Sequence, residues 1–275
     1  MGHLSWDKFQ QMNKILIVAT LTLVFCSNYK DPGKFNYRIL GHGKPTIVIE
    51  LAMGETLLSW DTLQTKLSRL TTVVTYDRLG LGKSDPTNVP RTIENLSCDL
   101  NEFLTKNEIP GPYLLIGHSL GTSIIRKYQN DHPENVLGMI LIDPVHEDQF
   151  DRLMAIKSKE EQEKTLRDRE DFEKTLTTGE RNEAIQYHQQ SATMRDVKFP
   201  NNIPITIIGS FQVGHGASEE DRQIKKELFD QWSDQARQIK LIATTKSGHY
   251  IQDSEPELLI DEVKLMIEKL RTKQR

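Results

Sequence analysis

The chain has 275 residues, and its 35 lysines and arginines nearly balance its 39 aspartates and glutamates, which leaves a formal net charge of −4. Nucleic-acid binding is not expected, because contact with the phosphate backbone requires a basic excess. Two cysteines are too few for a disulfide-based scaffold or a four-cysteine zinc site. No apolar run reaches the roughly 18 residues of a spanning helix, which excludes a multi-pass membrane protein.

The first predicted element is an apolar run at residues 15–25, within the roughly 7–15 residues of a signal-peptide core. A start at Met12 places one lysine before this run, and Met1 then belongs to an upstream extension. Cys26 resembles the cysteine that is lipidated in bacterial lipoproteins, although Phe25 stands where a small residue is usual. The segment predicts export to the periplasm, secretion or membrane tethering through a lipidated Cys26. An uncleaved anchor or a buried first strand of a cytoplasmic protein is the alternative.

Short apolar runs then alternate with helical patterns. Most of these runs are continuously apolar and β-branched, which is typical of strands covered on both faces. Helical spacing predicts a helix at Thr92–Leu104 and a last helix that begins near Ser254. The alternation predicts a mainly parallel sheet with helices on both faces. The predicted strands are Phe35–Ile39, Thr46–Glu50, Thr72–Tyr76, Tyr113–Ile116, Met139–Ile142, Ile203–Ile208 and Ile239–Ala243.

The alternation is interrupted between Ile142 and Ile203, where no run predicts a strand. Within Lys157–Thr175, 13 of 19 residues are Asp, Glu, Lys or Arg, so this stretch predicts a solvated helical hairpin. It follows the end of a strand, where α/β enzymes carry their lids. The predicted organisation is a leader at 1–30, a core at 31–145 and 201–275, and a helical cap inserted at 146–200.

Residues 117–121, Gly-His-Ser-Leu-Gly, match the pattern G-x-S-x-G. A predicted strand, Tyr113–Ile116, precedes them, and a predicted helix, Thr122–Gln129, follows. A serine at such a junction sits on a sharp turn with its hydroxyl clear of the sheet, at the N-terminus of a helix. Ser119 is therefore the predicted nucleophile. An ordinary glycine-rich turn with an exposed serine is the alternative.

With three further motifs, the chain resembles the α/β-hydrolase-fold family over residues 31–270. Residues 76–84 are similar to the family's Asp-Arg-x-Gly-x-Gly-x-Ser turn. Leu51–Gly54 stand at the position of its oxyanion loop, and Ser247-Gly248-His249 follow the last predicted strand. The resemblance implies an α/β-hydrolase fold, with a mostly parallel central sheet, helices on both faces and a helical cap. It also implies an esterase- or lipase-like serine hydrolase with a catalytic triad.

His249 is the predicted base, because it completes the family's order of serine, acid and histidine. Imidazole titrates near neutral pH, so it can take the serine proton and return it to the leaving group. His118 is adjacent to Ser119 in sequence, but its side chain should point away from the serine on such a turn.

Two aspartates remain open as the acid that orients His249. Asp143 is favoured, because residues 143–146 are similar to the Val-Asp-Val-x-His stretch of pancreatic-type lipases; an Asp-Pro turn that starts a helix is its plain explanation. Asp221 is the alternative. Ser218 and Asp221 also fit the start of a helix, with Ser218 capping it.

The resemblance implies an oxyanion hole built from the backbone N–H groups of Leu120 and Met53. Leu51 and Ala52 stand where the family has histidine and glycine. The amide of Met53 survives both changes, but Ala52 narrows the allowed backbone geometry.

A serine at this position excludes the branches of the family that use an aspartate nucleophile, namely haloalkane dehalogenases and epoxide hydrolases. It implies an acyl-enzyme that water hydrolyses, with a small or medium carboxylic ester as substrate and no cofactor or metal. Peptidase, thioesterase, lactonase, lyase and cofactor-free peroxidase activities stay open, because the fold hosts them. So does ligand binding without turnover. No oligomeric state is predicted.

The cap is expected to overhang Ser119 and to line an acyl pocket with its few apolar side chains. The competing interpretation is that these side chains only pack the helices of the cap together. They are Phe150, Leu153, Met154, Phe172, Leu176 and Met194.

Overall fold

The computed structural model describes residues 33–214 and 217–273. The predicted leader, with Met1, Met12 and Cys26, lies outside these residues. Among the helices of the two described ranges, none is both long and apolar enough to cross a membrane.

In the described part of the chain, seven strands form one sheet, and they are β1 (Tyr37–Leu40), β2 (Thr46–Glu50), β3 (Val73–Tyr76), β4 (Tyr113–His118), β5 (Val136–Ile142), β6 (Ile205–Ser210) and β7 (Ile239–Thr244). Their order is β1-β3-β2-β4-β5-β6-β7. The edge strand β1 runs antiparallel to β3, and all other neighbours in the sheet are parallel. The central strands β2, β3, β4 and β6 are buried over their whole length, as continuously apolar runs require. The predicted mainly parallel sheet is confirmed.

Helices cover both faces of this sheet, as predicted. Successive residues of a strand point to opposite faces, so Leu114 and Ile116 of β4 join one apolar core while Leu115 joins the other. The helices of the described residues are α1 (Asp61–Leu67), α2 (Ile93–Lys106), α3 (Leu120–Asp131), α4 (Gln149–Ala155), α5 (Lys159–Thr175), α6 (Thr178–Gln190), α7 (Glu219–Gln235), α8 (Ile251–Ser254) and α9 (Pro256–Lys273). Residues of α2, α3 and α7 build the core on one face, and residues of α1 and α9 build the core on the other.

The segment between β5 and β6 contains α4, α5, α6 and a 3₁₀ turn at Ser191–Asp196, and α5 and α6 contact each other across a short connection. α5 begins with a capping box formed by Ser158 and Glu161, and none of its residues is buried, in agreement with its charged sequence. α6 packs more closely. A Cβ at Gly179 would lie 2.0 Å from the carbonyl oxygen of Gly80, in the loop after β3. The charged helix α5 faces solvent, and α6 contacts the body of the protein.

Phe172→Ala is expected to change the free energy of unfolding by less than about 0.5 kcal/mol, because this α5 side chain is 52% exposed. Met194→Ala is expected to lower that free energy by about 2–5 kcal/mol, because Met194 is buried with Ile93 and Val197. Denaturant-induced unfolding of both variants measures the difference. Equal losses in the two variants would contradict the solvent-facing position of α5.

Candidate active site

Ser119 occupies the turn between β4 and α3. Its φ is 52° and its ψ is −117°, a conformation that residues other than glycine rarely adopt and that functional sites tolerate. Glycine is required at positions 117 and 121, because a side chain at either position would clash with nearby backbone atoms. A Cβ at Gly117 would lie 2.8 Å from the backbone of Gly121, and a Cβ at Gly121 would lie 2.2 Å from the carbonyl oxygen of Glu50. Residues 117–121 thus form the sharp strand-to-helix turn that their sequence predicts.

His249, on the loop after β7, contacts Asp143, which directly follows β5. The distance from Nδ1 of His249 to Oδ2 of Asp143 is 2.7 Å. An ionised carboxylate only accepts hydrogen bonds, so Nδ1 donates and Nε2 is left to accept a proton. The side chain of His249 is 41% exposed, whereas that of Asp143 is 6% exposed. The structure brings together the predicted base and the favoured one of the two predicted acids.

The second carboxylate oxygen of Asp143 accepts two further hydrogen bonds. Nζ of Lys225 lies 2.6 Å from Oδ1, and the backbone nitrogen of Ser210 lies 2.7 Å from it. Burial raises the pKa of Asp143, but the hydrogen bond from His249 and the charge of Lys225 outweigh burial, so the pKa lies below its usual value. Asp143 is therefore ionised at neutral pH, as an acceptor for His249 must be.

No role for Lys225 was predicted, although the sequence contains a signal. Lys225 shares one helical stripe of α7 with Leu228, Phe229 and Trp232, and all four side chains are buried. A lysine on an apolar stripe needs a charged partner, because burial of an unpaired charge is costly. The partner, Asp143, is 82 residues away in the chain, so helical periodicity indicates a buried pair without identifying its second member.

Asp221, the alternative acid, lies in the first turn of α7. Its Oδ2 accepts a hydrogen bond of 2.8 Å from the backbone N–H of Ser218, and its own N–H donates to Oγ of Ser218 at 3.1 Å. The two residues form a capping box, the structural interpretation that the sequence offered for them. Of the two candidate aspartates, Asp143 is the one whose carboxylate contacts His249.

Both predicted oxyanion amides lie at the edge of the sheet that carries Ser119. Leu120 is the first residue of α3, where backbone N–H groups have no acceptor within the helix. Met53 follows β2, and the register of β2 on β4 pairs Glu50 with Gly117. The turn that carries Met53 therefore leaves the sheet beside Ser119.

The amides on either side of Met53 already donate hydrogen bonds. The N–H of Ala52 donates to Glu55 and the N–H of Gly54 donates to Glu183, each at 3.0 Å. In residues 33–214 and 217–273, the N–H of Met53 has no hydrogen-bond acceptor. This amide therefore has an unused donor, as the predicted oxyanion role requires.

His118 is fully buried and supports the loop that carries His249. Its Nε2 lies 3.0 Å from the carbonyl oxygen of His249; because a carbonyl only accepts, Nε2 carries the proton. The centroids of the two imidazole rings are 4.8 Å apart. Nε2 of Gln252 lies 3.3 Å from Nδ1 of His118. The sequence assigned His118 no part in the site, whereas the structure places it against the backbone of the predicted base.

Of the six side chains proposed to line an acyl pocket, only Met194 is buried, with Ile93 and Val197. The other five are half-buried or exposed and form no buried apolar surface. Phe150 and Phe172 are 37% and 52% exposed, and Leu153 and Met154 are half-buried. The guanidinium carbon of Arg169 lies 5.5 Å from the centroid of the Phe150 ring. Phe150, Leu153, Met154 and Phe172 belong to α4 and α5, neither of which buries a residue. Their contact with a substrate stays a prediction.

A family model described as alpha/beta hydrolase fold matches residues 45–260. The AB hydrolase superfamily protein of Gibberella zeae is 24% identical over 292 residues, covering 83% of this chain and 88% of the relative. The probable transporter efuK of Hormonema carpetanum is 25% identical over 283 residues, covering 84% of this chain. The present chain covers 40% of the length of that relative.

Several solved structures share the architecture. The alpha/beta hydrolase domain-containing protein 10 from mouse has a TM-score of 0.64 and 16% identity, with 88% of this chain and 97% of that chain covered. A structure from work on carboxylesterases of the thaumarchaeon Nitrososphaera gargenis has the same score and identity, with 87% and 96% covered. The epoxide hydrolase CorEH has a TM-score of 0.62 and 16% identity, with 88% and 98% covered. These similarities confirm the predicted fold, and at such identities they show the fold alone.

Proposed function

Since the chain belongs to the family with the alpha/beta hydrolase fold, we propose that it is a serine hydrolase that cleaves small or medium carboxylic esters. The observation that carries the proposal is the 2.7 Å contact between His249 and Asp143, at the same edge of the sheet as the strained turn of Ser119. The three residue types occur in the chain order serine, aspartate, histidine that this fold uses.

In the proposed reaction, Oγ of Ser119 attacks the ester carbonyl carbon while Nε2 of His249 takes the hydroxyl proton. The carbonyl oxygen becomes an oxyanion and accepts hydrogen bonds from the amides of Leu120 and Met53. When the carbon–oxygen bond to the alcohol breaks, His249 gives its proton to the leaving oxygen. Water then attacks the acyl-enzyme by the same route and releases the acid. Asp143 holds Nδ1 of His249 as a donor throughout.

The structural neighbours include both a carboxylesterase study and an epoxide hydrolase, and the nucleophile discriminates between the two chemistries. A carboxylate nucleophile opens an epoxide and leaves an ester that water can reach. A serine alkoxide would instead leave a stable ether. The serine at position 119 therefore supports acyl transfer over epoxide opening.

The test is a screen of purified protein against p-nitrophenyl esters from acetate to palmitate, with styrene oxide as the comparison substrate. We expect ester turnover that is fastest with the shorter acyl chains, and no diol from the epoxide. A fluorophosphonate probe should label Ser119, as located by mass spectrometry of the peptides. Labelling with an acyl burst and no turnover would instead support ligand binding by an inert member of the family. Absence of both turnover and labelling would reject the proposal.

Lys225→Met is expected to move the acid limb of the pH profile of kcat/KM toward higher pH. The ammonium of Lys225 is paired with Asp143, and its charge and its hydrogen bond lower the pKa of that carboxyl group. Without this ammonium, the pKa of Asp143 rises. The carboxylate is then protonated, and lost as the acceptor that orients His249, at a higher pH than in the wild type.

Lys226→Met is the matched control for this variant. Lys226 is the next residue of α7, and its side chain is 59% exposed and paired with Asp230. Arg222 of α7 and Tyr250 beside His249 remain unchanged in both variants. Thermal melting checks that both proteins fold. An acid limb at the same pH in Lys225→Met, Lys226→Met and the wild type would contradict an electrostatic role for Lys225.

A further inference from the structure

Arg78 is the second residue after β3, in the loop that contains Gly80. Its side chain is 1% exposed, yet every N–H bond of its guanidinium group donates a hydrogen bond. Nε donates to Oε1 of Glu183 at 2.6 Å, and Nη2 donates to Oε2 of Glu183 at 2.8 Å. Nη1 donates to Glu50 and to the carbonyl oxygen of Leu51, both at 2.8 Å, and Nη2 also donates to the carbonyl oxygen of Ala52 at 2.7 Å. These contacts use the five donors of the group.

Glu183 belongs to α6 of the inserted segment, and its side chain is also 1% exposed. Besides Arg78, it accepts a hydrogen bond from the backbone N–H of Gly54, with 3.0 Å between Gly54 N and Oε2. α6 packs closely on the same turn, since a Cβ at Gly54 would lie 2.9 Å from Cγ of Glu180. The carboxylate of Glu183 thus binds the turn at residues 51–54 in two ways, by a hydrogen bond from Gly54 and through Arg78.

The backbone groups held in this way surround Met53. Arg78 binds the carbonyl oxygens of Leu51 and Ala52, and Glu183 binds the amide of Gly54. The peptide plane that carries the N–H of Met53 includes the carbonyl of Ala52. The hydrogen bond from Arg78 to that carbonyl therefore fixes the direction in which the Met53 amide points.

The charges of Arg78, Glu183 and Glu50 indicate that this cluster does more than attach α6 to the body of the protein. Burial lowers the pKa of Arg78, but the charges of Glu183 and Glu50 outweigh burial and raise it above its usual value, so the guanidinium stays charged. A buried ion pair is often no more stabilising than apolar residues of the same volume. Apolar packing would attach α6 to the body equally well, but it could not orient a backbone carbonyl.

We propose that Arg78 and Glu183 are positioning residues for the oxyanion hole, so that α6 of the insertion helps to stabilise the charge that develops in the reaction. The inference rests on the proposed function, because it assigns the Met53 amide to the oxyanion. Neither residue touches the substrate. Each acts through the backbone of residues 51–54.

Glu183→Gln tests this proposal with little change in volume. Glutamine has one acceptor oxygen and one NH₂ group, so it cannot accept from Arg78 and from Gly54 as the carboxylate does. We expect kcat to fall by about 10- to 100-fold, somewhat less than the roughly 10²–10³-fold cost of losing a whole oxyanion donor. KM for the best ester should change by less than about 3-fold, because the ground-state carbonyl depends little on this amide.

The readout specific to the oxyanion is inhibition by a trifluoromethyl ketone that carries the acyl chain of the best ester. Oγ of Ser119 adds to its carbonyl carbon, its oxygen takes the negative charge, and the serine proton moves to His249. The inhibition constant of Glu183→Gln should rise by about the same factor by which kcat/KM falls. This constant and KM do not depend on how much of a preparation is folded, and kcat is expressed per site labelled by the fluorophosphonate.

Arg78→Lys is the second variant, because an ammonium keeps the charge but cannot bridge Glu183 and two carbonyl oxygens as the planar guanidinium does. It should show the same joint change of kcat and inhibition constant. Glu163→Gln is the matched control: it makes the same substitution on α5 of the insertion, at a side chain that is 70% exposed. It should behave as the wild type in all three constants.

The proposal is overturned if Glu183→Gln and Arg78→Lys keep the wild-type kcat per labelled site and the wild-type inhibition constant, even where their melting temperatures fall. A lower kcat with unchanged ketone affinity, or a higher KM with unchanged kcat, also overturns it. Failure of the proposed function is recognised separately. In that case the wild type neither hydrolyses esters nor binds the ketone, before any variant is compared.

Discussion

Ser119→Ala is expected to lower kcat for ester hydrolysis by a factor on the order of 10⁴–10⁶ while the protein stays folded. The substitution removes only Oγ, the atom proposed to form the acyl-enzyme. The backbone N–H of residue 119 still donates to the carbonyl of Ile142, at 3.0 Å, and alanine meets the same positive-φ strain as serine. Steady-state kinetics with the best ester measures the loss, and circular dichroism and thermal melting check the fold.

Ser233→Ala is the control for this prediction. Ser233 lies on α7, and its hydroxyl donates to the carbonyl oxygen of Phe229, so the same atom is lost away from the site. The kcat of the Ser233→Ala variant should match that of the wild type, and the fluorophosphonate should still label Ser119 in this variant. Turnover by Ser119→Ala at more than a few per cent of the wild-type rate would refute the assignment of the nucleophile.

Asp143→Asn is expected to lower kcat by about 10⁴-fold, the cost of placing the base in the wrong tautomer. In the wild type, the two carboxylate oxygens serve three donors, from His249, Lys225 and Ser210. Asparagine has one acceptor oxygen, and its NH₂ group must face one of these donors. If the NH₂ group faces His249, Nδ1 of His249 becomes the acceptor and the ring proton sits on Nε2. Nε2 can then no longer take a proton from Ser119.

Asp221→Asn separates the two candidate acids. Asp221 sits in the capping box of α7, so its loss should cost at most about 1 kcal/mol of unfolding free energy and leave kcat within about 2-fold of the wild type. Both variants are compared by kcat per folded molecule, with folding followed by circular dichroism. A large loss in Asp221→Asn beside a near-normal Asp143→Asn would reverse the assignment of the acid.

Asp221 and Asp143 show which roles neighbouring residues in the sequence can predict and which they cannot. The pattern of Ser218 and Asp221 predicted a helix start, and the capping box is confirmed, because its two partners are three residues apart. The position of Asp143 after a strand suggested catalysis, but the same residues also fitted an ordinary turn. The contact with His249 spans 106 residues, so only the folded sheet, with β5 two strands from β7, distinguishes the two interpretations.

In the inserted segment, too, composition predicts some features and not others. Its lack of strands and the solvent-facing position of Lys159–Thr175 follow from composition, because a helix with so few apolar residues has no face to bury. Its attachment to the body does not follow from composition. α6 looks as polar as its neighbours in sequence, yet Glu183 and Ala184 are fully or almost fully buried.

The sequence by itself determined the sheet, the turn at Ser119 and the order of the chemical groups along the chain. Those features arise from hydrophobic periodicity and from steric limits among neighbouring residues, which act over a few positions and leave a readable pattern. The tertiary structure decided which buried charges meet. Lys225 pairs with Asp143 across 82 residues, and Glu183 pairs with Arg78 across 105. A buried charge requires an opposite charge but does not specify where in the chain that charge lies, so the order of the strands and the packing of α6 and α7 chose the partners.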